Sequence, residues 1–196
     1  TVSGDLFLTT HMGELNRFQY PIPQEIVTAL SRLDADVEMV QNRRFQLTRA
    51  GFPYELDVFN MQVFFRYGDF VWLKSAPGPI RNRLIRGEGV LISEVFSNRT
   101  GLRVGDMYRA RVEVSEVELP VLGIVRDYRT DGGVVFYSWH QFKKRFHDPR
   151  WSGVRFFFKD RHQAMPKAVS DLRREIVERC GDNLDMVSGA ELRAEI

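Results

Sequence analysis

Cysteine is nearly absent from this chain of 196 residues: Cys180 stands alone, which excludes an intrachain disulfide and any zinc site built on several thiolates. Cys180 closes an amphipathic segment, Pro166 to Arg179, so packing accounts for it better than reactivity. Long apolar runs are missing too. No segment approaches the roughly 18 to 20 apolar residues that span a bilayer, and no basic n-region followed by an apolar h-region marks a signal peptide. Charge of one sign is also in short supply. The 28 basic and 26 acidic side chains leave a net charge of +2 and a pI of 8.8, too small an excess for a nucleic-acid-binding field. G-x-S-x-G, H-E-x-x-H, a Walker loop and G-x-G-x-x-G do not occur, which removes the commonest serine, zinc and nucleotide sites. No catalytic residue, cofactor site or metal site is assigned.

What is present reads as a folded α+β protein. Hydrophobic residues make up 43% and charged residues 28%, ordinary globular values that give a chain of this length a sizeable core in one domain or two small ones. Leu6 to Thr9 is a short strand, and Pro21 and Pro23 introduce a helix from Gln24 to Leu33 with Ile26, Val27, Leu30 and Leu33 on one face. From Val37 to Lys74 alternation predicts several strands, including one through Met61, Val63 and Phe65 and one through Phe70 and Trp72. Ala76-Pro77-Gly78-Pro79 breaks the run before a basic helix, Ile80 to Arg86. Farther on, Ser138 and Gln141 predict a capping box for a helix carrying Trp139, Phe142 and Phe146, ended by Asp148-Pro149. A strand over Gly153 to Lys159, a helix over Pro166 to Arg179 with Val169, Leu172, Ile176 and Cys180 inward, and a strand over Leu184 to Val187 close the chain as β-α-β. Ser188-Gly189-Ala190-Glu191 is a second capping box, opening a helix from Ala190 to Ile196.

The densest signals lie between Gly89 and Ser138. Val90, Leu91 and Ile92 make a short strand, Ser93 caps the helix that follows, Glu94 occupies its positive first turn, and Gly101 suits its left-handed end. Gly105-Asp106 then turns the chain into an extended run from Met107. Asp131-Gly132-Gly133 is a tight turn between Val121 to Arg126, which holds Gly123, and Val134 to Tyr137. These residues read as caps and turns, not reagents. Asp127 and Asp131 flank Tyr128 like a carboxylate pair, but Asp131 holds a turn and Asp127 pairs with Arg126 or Arg129. His140 and His147 are seven apart and lack a third ligand nearby, so solvated or capping roles fit them better than a metal. Aromatic and basic residues alternate in Phe64-Phe65-Arg66-Tyr67 and from Phe142 to Phe146 as core and surface faces, not as a stacking platform for nucleic acid. Arg81, Arg83 and Arg86 form the strongest local positive patch, a contact for a partner protein or anionic lipid headgroups if not simply a solvated face.

Together Ile92-Ser93-Glu94, Gly101-Leu102, Gly105-Asp106, Val121 to Tyr128 and Gly133 to Phe136 resemble the extracytoplasmic domain of FtsX-like or MacB-like ABC transporter permeases. Arg126-Asp127-Tyr128 and His147-Asp148-Pro149 are not demanded by MacB itself, so the chain is equally similar to other branches of that family. The resemblance implies a discontinuous Porter-like α+β subdomain near the membrane, residues 1–80 and 153–196, built from β-α-β units. Into it a β-rich Sabre-like subdomain, residues 81–152, would be inserted. It further implies flanking membrane helices outside this sequence, a domain facing the periplasm or cell exterior, and an ABC ATPase subunit acting through the membrane region. A second permease subunit and a periplasmic adaptor or lipoprotein substrate would be its other partners, with no nucleic acid among them. The work implied is mechanical, in export or extraction of lipoprotein, lipid, peptide or drug. A stand-alone ligand- or protein-binding module and a hydrolase with an unrecognised site are the alternatives.

Overall fold

Leu6 and Leu8 alternate with half-exposed neighbours and form strand β1 (Leu6–Thr10). The structure is a computed structural model that describes residues 4–10 and 20–195. Pro23 leads into helix α1 (Gln24–Leu30), which Ser31 closes three residues before the expected end. Strands β2 (Val37–Arg49) and β3 (Phe52–Phe59) are an antiparallel hairpin turning at Ala50 and Gly51, with φ of 48° and 85°. The next segment departs from expectation. Met61–Tyr67, read as a strand from the alternation of Met61, Val63 and Phe65, is helix α2. The side chain of Asn60 accepts from the Val63 N–H, and Met61 and Phe64, three apart, are the residues buried. A short apolar run satisfies both periods; the cap selects the helix.

The strand expected through Phe70 and Trp72 begins only at Trp72 (β4, Trp72–Ser75), while helix α3 (Ile80–Ile85) after Pro79, strand β5 (Val90–Ser93) and helix α4 (Glu94–Thr100) follow in the expected places. Strands β6 (Met107–Val112), β7 (Ser115–Val125) and β8 (Val134–Ser138) precede helix α5 (Trp139–Phe146). The capping box expected for α5 does not form. The buried Ser138 hydroxyl donates to the Ile85 carbonyl instead, and the helix ends on His147 in left-handed conformation. Strand β9 (Gly153–Phe158), helix α6 (Met165–Cys180), strand β10 (Leu184–Ser188) and helix α7 (Gly189–Ala194) complete the order. Here the box is made: Ser188 Oγ accepts from the Glu191 N–H while the Glu191 carboxylate accepts from the Ser188 N–H. Ile196, the last residue expected in this helix, lies outside the described residues.

The chain divides into a central unit, residues 42–149, and a split unit, residues 2–41 with 150–196. The border expected near residues 80 and 152 differs, and strand pairing explains why. β3 lies parallel to β8, from Glu55 opposite Val134 to Phe59 opposite Ser138, so residues 42–80 belong to the central unit. Its strands run β2-β3-β8-β5-β7-β4, with β6 paired to β7. β5 is antiparallel to β8 and parallel to β7. The turn at Asp131 to Gly133 therefore joins β7 to β8 without making a hairpin, because β5 lies between them. Every residue of β5 and β8 is buried, as expected of strands covered on both faces.

In the split unit the order is β10-β1-β9-β2, with β1 antiparallel to both β10 and β9. α1 packs on α6, which buries Leu172 and Ile176, while Val169 and Cys180, at the edges of the same stripe, are half-buried. The architecture is of the expected mixed α and β class. Among the described residues no helix is long and apolar enough to cross a membrane.

Candidate functional site

The residues singled out between Gly89 and Ser138 converge on one structural knot in the central unit. Ser93, fully buried at the end of β5, accepts two backbone hydrogen bonds through its hydroxyl: 3.2 Å from Phe96 N at the start of α4 and 2.9 Å from Val134 N at the start of β8. Glu94, the first residue of α4, accepts 2.6 Å from the hydroxyl of exposed Tyr128, whose ionisation it holds above the usual phenol range. Gly101 ends the helix with φ of 76°, the left-handed geometry expected of it. Gly105 donates to Val121 O, Val121 donates back to Asp106 O, and the Asp106 carboxylate accepts from Arg103 N, so this turn fixes the middle of β7.

Three further glycines are places where no side chain fits. A Cβ on Gly132 would lie 1.6 Å from Pro53 O. One on Gly133, at φ of 89°, would lie 2.5 Å from Phe96 N, and one on Gly123 would lie 2.8 Å from Leu91 Cδ2.

The segment between β7 and β8 is held down by charge. Asp127 pairs with Arg129, 3.0 Å from Nη2, and not with Arg126. Arg129 also reaches Asp57 at 2.8 Å and Glu55 at 3.4 Å, both buried on β3, and its guanidinium lies over the Phe136 ring. Arg44 approaches Glu55 at 3.5 Å and Asp57 at 3.9 Å. Burial raises the Glu55 carboxyl above the usual range, and the neighbouring arginines only partly oppose this. For Arg129 burial works against the charge, but Asp57, Asp127 and Glu55 overcome it and keep the guanidinium firmly protonated. The group is an anchor for a loop, not an acid and base pair: every carboxylate in it faces a guanidinium.

Other long-range contacts of the central unit had no local signal in the sequence either. The Tyr54 and Tyr108 hydroxyls meet 2.7 Å apart in the interior, joining β3 to β6, and burial pushes both phenols up. Buried Arg43 on β2 binds Asp148 just after α5 and, at 3.2 Å, Glu113 in the β6-β7 turn.

The other expected sites take plain roles. Arg81 pairs with Asp69, and Arg86 and Arg83 approach Glu88 at 2.7 and 3.9 Å. His140 sits in the first turn of α5 and His147 caps its end; burial first, then Lys143 and Lys144, hold the His140 imidazole below its ordinary range. Among the described residues no group of three or more His, Cys, Asp or Glu side chains is placed to hold a metal ion. In the split unit a half-open cavity of about 330 Å³ is lined by Met165, Pro166, Val169, Arg173, Ala190 and Arg193, among others.

This architecture is that of extracytoplasmic domains of ABC-type transporters. The periplasmic region of MacB from Actinobacillus actinomycetemcomitans superposes with a TM-score of 0.64 over 98% of this chain and 92% of that one, at 10% identity. The extracellular domain of the noncanonic ABC-type transporter YknZ from Gram-positive bacteria gives a TM-score of 0.59 over 93% of this chain and 99% of that one, at 12% identity. At such identities the likeness is one of fold. No protein-family profile and no curated sequence matches the chain.

Proposed function

We propose that this chain is the extracytoplasmic domain of an ABC transporter permease of the MacB-like or FtsX-like type. Its part is to relay the ATP-driven motion of a partner ATPase to a substrate outside the cytoplasmic membrane. The observation that carries the reading is the coincidence of two matches. The fold is shared along almost the whole chain with MacB and YknZ domains, and the residues of the sequence resemblance occupy the caps, turns and close approaches that build that fold. In this reading the split unit is the membrane-proximal Porter-like part and the central unit the Sabre-like part, which the division of the chain at residues 41/42 and 149/150 supports.

A mechanical role asks for rigid units with contact surfaces and no reagent. That agrees with a charge cluster whose acids are all opposed by guanidinium groups. The full-length gene is the test. Membrane helices should directly precede Thr1 and follow Ile196, and an ABC ATPase subunit should copurify with the intact membrane protein. A gene lacking those helices would sink the proposal. Turnover of ester or peptide substrates that disappears in Asp127→Asn would favour a hydrolase instead.

A further inference from the structure

The small net charge of the chain conceals an uneven distribution. Residues 42–149 hold 17 basic and 12 acidic side chains, a net charge of +5, whereas residues 2–41 and 150–196 hold 11 and 14, a net charge of −3. Within the central unit much of the excess gathers on one face. α3 and α5 both pack against β8. They meet where Gly87 approaches α5: a Cβ there would lie 2.4 Å from Gln141 Cγ and 3.0 Å from the Tyr137 hydroxyl. α3 and the residue after it bring Arg81, Arg83 and Arg86, and α5 brings Lys143, Lys144 and Arg145. Asp69 and Glu88 answer the first three. Among the described residues none of the second three has an ion-pair partner, and Lys144 and Arg145 are exposed.

Folding physics explains part of this. Cations in the last turn of α5 suit the negative end of the helix dipole. Arg81 has no such reason, because it sits in the first turn of α3, where the dipole disfavours a cation. It is nonetheless held in place by Asp69 and lies over the Phe65 and Trp72 rings. Burial first, and then Lys143 and Lys144, lower the His140 imidazole, so the positive charge of α5 is felt there.

We propose that the α3-α5 face of the central unit docks an acidic polypeptide surface of a partner protein. Charge complementarity selects an anionic occupant, and the neighbouring side chains select protein. A bilayer contact needs apolar anchors beside the cations. The exposed apolar residues of the central unit, Val71, Leu73, Met107, Val114 and Tyr128, lie on or beside β4, β6 and β7 and not on α3 or α5. Single-stranded nucleic acid needs exposed rings for stacking; Trp139 and Phe142 of α5 are buried, and Phe65 and Trp72 are half-buried with the Arg81 guanidinium over them. The exclusion of lipid also rests on the proposed function, which places the split unit nearest the membrane.

The test is binding of fluorescent polyglutamate to the 196-residue chain, read by anisotropy at two salt concentrations. Binding should weaken with salt, and the triple variant K143E/K144E/R145E should lower affinity by about tenfold or more. The control R103E/R111E, which reverses two exposed cations away from both helices, should change it by less than about twofold. Near-UV circular dichroism checks that each variant is folded, and K144Q/R145Q replaces the triple if it is not. Equal loss in triple and control would overturn the proposal, as would an unaffected triple. Sedimentation with phosphatidylglycerol vesicles that the triple abolishes would identify the face as a lipid contact and overturn it too. Because the polyglutamate result does not depend on flanking membrane helices, failure here and failure of the permease reading are told apart.

Discussion

Ser93 has one hydroxyl and two backbone N–H groups to satisfy, one opening a helix and one opening a strand. Ser93→Ala removes the cap and leaves a buried donor unpaired, so it should cost roughly 2–3 kcal/mol, more than a cap alone. Urea unfolding with an unchanged slope would measure it, and a loss below about 0.5 kcal/mol would show the hydroxyl to be dispensable. The Tyr54-Tyr108 pair gives a complementary case. Either single change to Phe strands one buried hydroxyl and should cost about 1–3 kcal/mol, while the double change should cost less than the sum of the singles. The pair also sets an alkaline limit. Both phenols ionise in the folded state above their ordinary value of 10, so their stabilisation is complete below pH 10 and is lost as pH rises beyond it. The double Phe variant should lack this loss in unfolding experiments between neutral and alkaline pH. At the acid end, the Ser188 N–H and then Arg173 hold Glu191 down to about 2. Its stabilisation is complete above the unfolded carboxyl range and fades as pH falls toward 2; an NMR titration of Arg173→Gln should find this carboxyl titrating at higher pH. The caps and turns were legible because their partners lie within a few residues. Tyr54 and Tyr108 are 54 residues apart, and Asp57 and Arg129 are 72 apart, so neither pair left a local pattern to read.

At the scale of elements, alternation located nearly every strand but could not identify α2. Met61, Val63 and Phe65 fit a strand as well as a helix, and Asn60 is a cap only if its side chain turns back to Val63. Alternation also gave no hint that β3 is buried on both faces, because Glu55 and Asp57 occupy positions that a half-exposed strand would turn to water. Arg129 makes their burial tolerable and in doing so pins the connection from β7 to β8. Arg129→Ala should therefore destabilise by roughly 2–4 kcal/mol, at or below the cost of breaking a buried pair, because Arg44 remains near both acids. It should also speed hydrogen exchange at Gly133 and Glu55, whose backbones are bonded to each other through the Glu55 N–H and Gly133 O. Exchange unchanged at both amides would mean that the turn, not the guanidinium, holds the loop.

For the whole molecule, the mixed α and β class was readable from the element order, whereas the border between units was not. Pro77 and Pro79 mark a real break in the chain, but a parallel pairing of β3 with β8 ties together residues on either side of it, and parallel partners carry no turn signal. Residues 42–149 contain their own strand order and buried core, so that segment expressed alone should fold, with dispersed NMR spectra and cooperative unfolding; a disordered spectrum would show that it depends on the split unit. The ion pair between Arg43 and Asp148 adds something beyond stability. It joins the second residue of the central unit to its second-last, so the place where the chain enters this unit and the place where it leaves are held within one side chain's reach. Loops inside the unit can lengthen, shorten or change sequence without moving those two attachment points. A unit secured in this way keeps its entry and exit together while its loops diverge.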